Sequence, residues 1–298
     1  MRVSVVITTY NRAQFLQRAI ESAFSSASDL EVIVVDDCST DNTPEVCAHR
    51  SDIRYVRLNT NQGLANARNV GIAASSCEFI AFLDDDDLRL PGAIDKQLDR
   101  IKTDDRLALC YGQALIGDAQ RQLPTGEIYP SDCPEGDIFW QLLEDNFIPM
   151  PSVLVRKSCL LDAGSFNVKL NLIEDWDMWL RLSERFLVAA VAEPVAIHRK
   201  ANAASDQMSS NSAALCKQAL HVQQMALART RAQAAARTKR RQVRSKLRNR
   251  AYDILMTEAT NLIHAGDAKT ARAKLLDAFH FRPFRAVASG RLPWLLIK

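Results

Sequence analysis

Three short apolar runs in the first 84 residues constrain the fold more than any other feature of this chain. "VSVVITT" (3–9), "LEVIVVDD" (30–37) and "EFIAFLD" (78–84) are mostly apolar, with adjacent apolar residues at their centres. Alternate side chains of a strand point to opposite faces, so such a run is a strand covered on both sides. Between these runs the period changes. "RAQFLQRAIESAFS" (12–25) spaces Phe15, Leu16, Ala19, Ile20, Ala23 and Phe24 as one face of a helix. "TDNTPEVCAHRS" (40–51) predicts a short helix with Thr43 as N-cap before Pro44. "IRYVRLN" (53–59) predicts a strand, and "GLANARNVGIAAS" (63–75) a helix with Leu64, Ala67, Val70 and Gly71 toward one side. Strand and helix in alternation predict an α/β fold: a mostly parallel, mixed sheet with helices on both faces.

In open α/β sheets ligands bind beyond the carboxyl ends of the strands. "TTYNR" (8–12), "DDCSTD" (36–41) and "DDDD" (84–87) all fall at such ends. Asp36 and Asp37 alone would suit a helix-capping turn equally well. Three polar clusters on one edge, two of them acidic, point to a ligand.

At 298 residues, 47% hydrophobic and 24% charged, the chain is long enough for one large domain and an appendage, and too apolar for global disorder. Seven cysteines, an odd number with no C-x-x-C pair, are expected to be reduced thiols of the cytosol. The apolar run after Met1 is too short for a signal peptide and no run reaches about 18 residues, so no membrane span is expected. The net charge of +3 hides an asymmetry: residues 1–200 hold 20 Lys and Arg against 30 Asp and Glu, and residues 201–298 hold 18 against 5. Two modules of different character are expected.

"SVVITTYNRAQFLQRAIESAF", "EVIVVDDCSTDNT", "NQGLANARNVGI", "FIAFLDDDD" with Pro91, and the later "EDWDMWLRL" resemble, in order, the motifs of family 2 glycosyltransferases over about residues 2–200. The resemblance implies a GT-A catalytic domain over residues 1–200, with a donor-binding half (about 1–90) and an acceptor half (about 91–200). It implies an inverting transfer from a nucleotide-diphospho-sugar, a UDP-hexose being favoured, to a hydroxyl of a glycan or lipid-linked acceptor. Bacterial cell-surface polysaccharide or lipopolysaccharide synthesis is the expected setting.

By this resemblance Asp84, Asp85 and Asp86 match the DXD motif. Asp86 would hold a divalent cation, Mn²⁺ or Mg²⁺, and Asp85 would meet the ribose or the cation, while Asp87 would cap a turn. Thr8, Thr9 and Tyr10 would line the base pocket, Asp37 would bond the base or ribose, and Arg68 the diphosphate or base. In "NLIEDWDMWLRLSERF" Asp175 would be the general base and Glu174 a supporting or acceptor contact. Acids in a first helical turn are also favoured by the helix dipole alone. His198 would approach the cation or diphosphate, and Arg199 and Lys200 would close over the diphosphate. Arg156, Trp140 and Trp179 could meet sugar, although tryptophans in such patterns more often fill a core.

Residues 117–152 are rich in Pro and Gly and predict a long loop with one short helix near "GDIFWQLLED". Residues 201–298 predict a basic helical region; 211–263 read as long helix, and 229–250 contain ten Lys and Arg and no acid. "FHFRPFRAVASGRLPWLLIK" (279–298) interleaves aromatics and cations, which suits an anionic membrane surface on the cytoplasmic side. "NLIHAGDAKTARAKLLDAFHFRP" resembles one tetratricopeptide-like helix hairpin. Two other functions compete. A sugar nucleotidyltransferase would carry a Gly-rich basic loop after the first strand, which "TTYNRAQF" lacks. A nucleic-acid-binding protein led by the basic helix would leave the acidic edge unexplained.

Overall fold

A computed structural model describes residues 3–118, 123–200, 211–283 and 285. Two compact units divide the chain: Met1–Leu142 with Asn146–Ser205, and Leu143–Asp145 with Asp206–Lys298.

The first unit begins β1 (Val3–Thr9), α1 (Ala13–Ser25), β2 (Leu30–Asp36), α2 (Thr43–Ala48), β3 (Ile53–Arg57), α3 (Leu64–Ala74) and β4 (Phe79–Asp84). It continues through β5 (Leu88–Arg89), α4 (Ala93–Ile101), β6 (Leu107–Gly117), β7 (Pro124–Tyr129), α5 (Phe139–Leu142), β8 (Leu154–Arg156), α6 (Lys157–Ala163), α7 (Glu174–Arg185) and β9 (Leu187–Arg199). The nine strands form one sheet in the order β3-β2-β1-β4-β8-β6-β9-β5, with β7 hydrogen-bonded to β6. Strands β1 to β4, β6 and β9 run one way, and β5, β7 and β8 run against them. This is the α/β, mostly parallel sheet expected.

The apolar runs are covered on both sides for the reason their pattern suggests. Val3, Val5 and Ile7 of β1 join Leu16, Ala19, Ile20 and Ala23 of α1 in one core cluster. Val6, pointing the other way, meets α3. A Cβ built on Gly71 would lie 2.2 Å from Val6 Cγ1, so only glycine lets this helix lie so close to the strand.

Several local expectations are corrected. Thr43 is the first helical residue of α2 rather than its N-cap, and its hydroxyl donates to Asp41 Oδ1 at 2.6 Å. The buried side of α3 is Ala65, Ala67, Arg68, Gly71 and Ile72, where Leu64, Ala67, Val70 and Gly71 were expected. Within the segment read as a loop, β7 forms a hairpin strand against β6, and the helix near residue 139 is a single turn.

The second unit contains α8 (Ser212–Leu227), α9 (Thr230–Ala234), α10 (Arg237–His264) and α11 (Ala268–Phe281). The expected single long helix is therefore broken twice, although no proline or glycine stands at either break. Burial of Leu227, Ala232 and Val243 outweighs local propensity there. α10 and α11 form a hairpin whose core includes Tyr252, Leu255, Ala259, Leu275, Ala278 and Phe281, with Phe279 packed against it. Phe281 and Phe279 thus contribute to the core of this unit. The remaining aromatic positions of the tail, Phe284 and Trp294 with Leu295 to Ile297, lie outside the described residues. Leu143–Asp145 joins this unit because Leu143 O accepts from Gln223 Nε2 at 2.8 Å, Lys246 pairs with Glu144 at 2.7 Å, and Arg250 pairs with Asp145. No helix among the described residues is long and apolar enough to cross a membrane.

Candidate active site

Strand register builds the site. Thr9 lies beside Asp36 and Thr8 beside Asp84, so the ends of β2, β1 and β4 present their polar residues in one row. The loops that follow are sewn together. Asn11 N–H donates to Ser39 Oγ at 2.9 Å, Asn11 Oδ1 accepts from Thr40 N at 2.6 Å, and Asp41 Oδ2 accepts from Ala13 N at 2.9 Å. Asn11 and Cys38 hold left-handed backbones, with φ of 54° and 68°. Such strain persists where the surrounding bonds over-determine it, commonly at functional sites.

The first acidic turn is densely hydrogen-bonded. Asp36 is fully buried and accepts from Tyr55 Oη at 2.6 Å and Ser39 N at 2.8 Å. Asp37, expected to meet the base or ribose, spends both oxygens on the amides of Gln62 (2.7 Å) and Gly63 (2.8 Å) at the entry to α3.

The second acidic turn gathers cations. Asp84 Oδ1 accepts from Thr8 Oγ1 at 3.3 Å and from Arg68 Nη2 at 2.8 Å. Asp85 accepts from Tyr10 N at 3.4 Å and from Arg12 Nη1 at 3.3 Å. Burial pushes the Asp85 carboxyl well above the usual carboxylate range; the neighbouring Asp86 adds to this and Arg12 opposes it. Asp86 Oδ2 accepts from Arg12 Nη1 at 2.8 Å and from Arg199 Nε and Nη2 at 3.0 and 2.5 Å. Asp87, read as a turn cap, instead accepts from Arg199 N at 2.8 Å and faces His198 Nδ1 at 3.0 Å. The Asp87 charge raises His198 to about 9 against the effect of burial, so the imidazole is cationic at neutral pH. Tyr10 is 44% exposed at the rim, free to offer an aromatic face.

The third group stands at the start of α7. Glu174 is buried and pairs with Arg68 Nη1. Arg68, whose side chain is 3% exposed, therefore bridges Asp84 and Glu174. Asp175, next to Glu174, is only partly buried; it accepts from its neighbour Trp176 N at 2.6 Å and from Asn146 Nδ2 at 3.3 Å. Desolvation raises its carboxyl to about 7, the Glu174 charge adds, and Arg68 opposes.

Three sugar-contact expectations fare differently. Trp179 is buried, with its ring 6.4 Å from that of Phe166, and belongs to the core. Arg156 pairs with Glu78 and lies over the Phe79 ring, at the opposite end of β4 from the acids. Trp140 is partly exposed beside Phe139. Two polar partners were not singled out by sequence. Arg12 lies within "TTYNR" and could have been, since it directly follows the strand; Asn146 sits in an aperiodic segment with no local signal.

The described site is a carboxylate-bearing edge on a mixed sheet, with further acids at the start of a late helix. The family model "Glycosyl transferase family 2" matches residues 4–159. The chain belongs to that family. An uncharacterized glycosyltransferase of Haemophilus influenzae is 29% identical over 199 residues, covering 65% of this chain and 66% of that protein. The succinoglycan biosynthesis protein ExoO of Rhizobium meliloti is 42% identical over 101 residues, 33% of this chain and 29% of that protein. The chain thus spans two thirds or less of the length of these relatives. Among solved structures, S. aureus TarS 1–349 in complex with UDP-GlcNAc superposes with a TM-score of 0.66 at 19% identity, covering 97% of this chain and 83% of that one. TarS 1–349 in complex with UDP gives 0.63 at 18%, with the same coverage. At these identities the likeness is one of fold.

Proposed function

We propose that this chain transfers a hexose, with inversion, from a nucleotide-diphospho-sugar to a hydroxyl of a glycan or lipid-linked acceptor. One observation carries the reading: Arg68 joins Asp84, at the end of β4, to Glu174, at the start of α7, with Asp175 left partly open beside them. UDP is the favoured nucleotide; the fold shared with a protein solved with UDP and UDP-GlcNAc supports this.

In an in-line displacement the acceptor oxygen bonds to the anomeric carbon as the bond to the phosphate oxygen breaks. The nucleoside diphosphate leaves with the electron pair, and the hydroxyl proton goes to Asp175. A carboxyl raised to about 7 is suited to that task, because a general base works best with proton affinity near the operating pH. The Asn146 amide and the Trp176 N–H fix the carboxylate's orientation. Thr8, Thr9 and Tyr10 would bound the base pocket, and Asp85 the ribose.

No three His, Cys, Asp or Glu side chains converge as metal ligands among the described residues. The donor set of Asp86 with Asp84 or Asp85 fits a cation that needs one or two carboxylates and takes its remaining oxygens from phosphates and water, as Mg²⁺ and Mn²⁺ do. When bound, such a cation would neutralise charge developing on the diphosphate.

The setting favoured is bacterial cell-surface polysaccharide or lipopolysaccharide synthesis at the cytoplasmic membrane face, and the partial match to a succinoglycan biosynthesis protein supports a polysaccharide pathway. Arg237, Arg241, Arg244 and Arg248 recur at helical spacing along α10, all exposed, as a line of positive charge suited to anionic lipid. Cosedimentation with vesicles should rise with phosphatidylglycerol content; no dependence on anionic lipid would count against the membrane. For the reaction, the purified protein with Mn²⁺ and a panel of nucleotide-sugars should be stabilised thermally by one donor and slowly hydrolyse it. A protein that responds to none would refute the proposed activity.

A further inference from the structure

Four aspartates in succession repel one another, and in this structure guanidinium groups relieve that repulsion. A single atom, Asp86 Oδ2, accepts three N–H bonds from two arginines, Arg12 Nη1 and Arg199 Nε and Nη2. The two come from distant parts of the chain: Arg12 follows β1, and Arg199 ends β9. They are held unequally. Arg199 lies with its guanidinium carbon 4.5 Å from the centre of the Phe15 ring, its backbone N–H is tied to Asp87, and its side chain is 6% exposed. Arg12 is 21% exposed and reaches across to Asp85 as well.

We infer that Arg12 and Arg199 form a clasp on the acidic turn that must open for a divalent cation to enter, and that the donor's diphosphate opens it by taking the guanidiniums. This rests on the reading of the edge as a nucleotide-sugar site. A cation on either oxygen of Asp86 would stand against two like charges. A guanidinium that leaves Asp86 without a new anion would lose a charge-assisted bond. The diphosphate supplies that anion, and arginine binds phosphate oxygens in the same forked geometry that it uses on a carboxylate. Arg12, the more exposed and on a loop, releases first; Arg199 stays on the Phe15 ring and turns less.

The clasp makes cation and diphosphate binding mutually dependent. Free-energy coupling of this kind is reciprocal, so each ligand tightens the other by the same factor. Removing an arginine should then have two opposite effects. The cation alone binds more tightly, because there is less positive charge to displace. The gain on adding nucleotide shrinks, because a phosphate ligand is gone.

The test is Mn²⁺ binding followed by the electron paramagnetic resonance of free Mn²⁺, in wild type, Arg12→Gln and Arg199→Gln, without nucleotide and with UDP, GDP or dTDP. In the absence of nucleotide each variant should bind Mn²⁺ about tenfold more tightly than wild type, and the tightening caused by nucleotide should fall by a similar factor. Variants that bind Mn²⁺ alone no more tightly than wild type would overturn the clasp even where nucleotide binds normally. Wild type that binds none of the three nucleotides would overturn the donor reading and the exchange with it. Should Arg199→Gln fail to fold, the partly exposed Arg12→Gln decides the matter alone.

Discussion

Arg68 and Glu174, 106 positions apart in sequence, form a buried ion pair whose guanidinium also bonds Asp84 at 2.8 Å. Breaking a buried pair from one side leaves an uncompensated charge, which typically costs about 3–5 kcal/mol. Arg68→Met should therefore lower the urea midpoint strongly, and Glu174→Gln, which keeps an acceptor for the guanidinium, should lower it less. Equal midpoints for wild type and Arg68→Met would show that the pair carries no structural load.

Close packing of α3 on β1 gives a second outcome. Gly71→Ala would set a methyl 2.2 Å from Val6 Cγ1, and overpacking of this kind costs about 1–3 kcal/mol. Adding Val6→Ala should recover part of that loss in a double-mutant cycle on denaturant unfolding. Strict additivity of the two changes would mean that the residues do not press on each other.

His198 should make stability depend on pH in one direction. Its proton affinity in the folded chain is raised to about 9 by Asp87, against about 6.5 when unfolded. The folded state therefore holds the proton more tightly, and this stabilisation declines as pH rises from about 6.5 through 9. His198→Gln should melt below wild type at pH 7 and match it by about pH 9.5. The imidazole is 45% exposed, so the difference at pH 7 should be modest. A difference in melting temperature that widens with pH would contradict the His198–Asp87 pairing.

Transfer itself should follow the titration of Asp175. The base acts deprotonated and its carboxyl is raised to about 7, so kcat should climb tenfold per pH unit below that value and level off above it. A kcat profile flat between pH 5.5 and 8 would rule out a base with this proton affinity.

Much of the donor half was legible because its strands are buried on both faces. β1 occupies residues 3–9 as its apolar run indicates, and the acids of β2 and β4 fall at carboxyl ends as the alternation requires. Features made by distant partners were not legible. Nothing near Arg68 in sequence shows that it is buried, since Glu174 stands 106 positions further along the chain. The role of Asp87 depends on His198 and Arg199, 111 and 112 positions away. β9 hides behind Glu193 and Pro194, which sit where its register with β6 shifts and a proline can be tolerated. In the second unit, tertiary burial cut a uniformly helical stretch into three, which no local propensity announces.

The proposed reaction divides its labour between Asp175, which takes a proton, and the donor edge, which binds the nucleotide-sugar. Donor affinity and turnover measured side by side in Asp175→Asn test that division most directly. Transfer should fall about 10²–10⁴-fold while donor affinity stays near the wild-type value. A loss of donor binding as large as the loss of transfer would contradict Asp175 as the base.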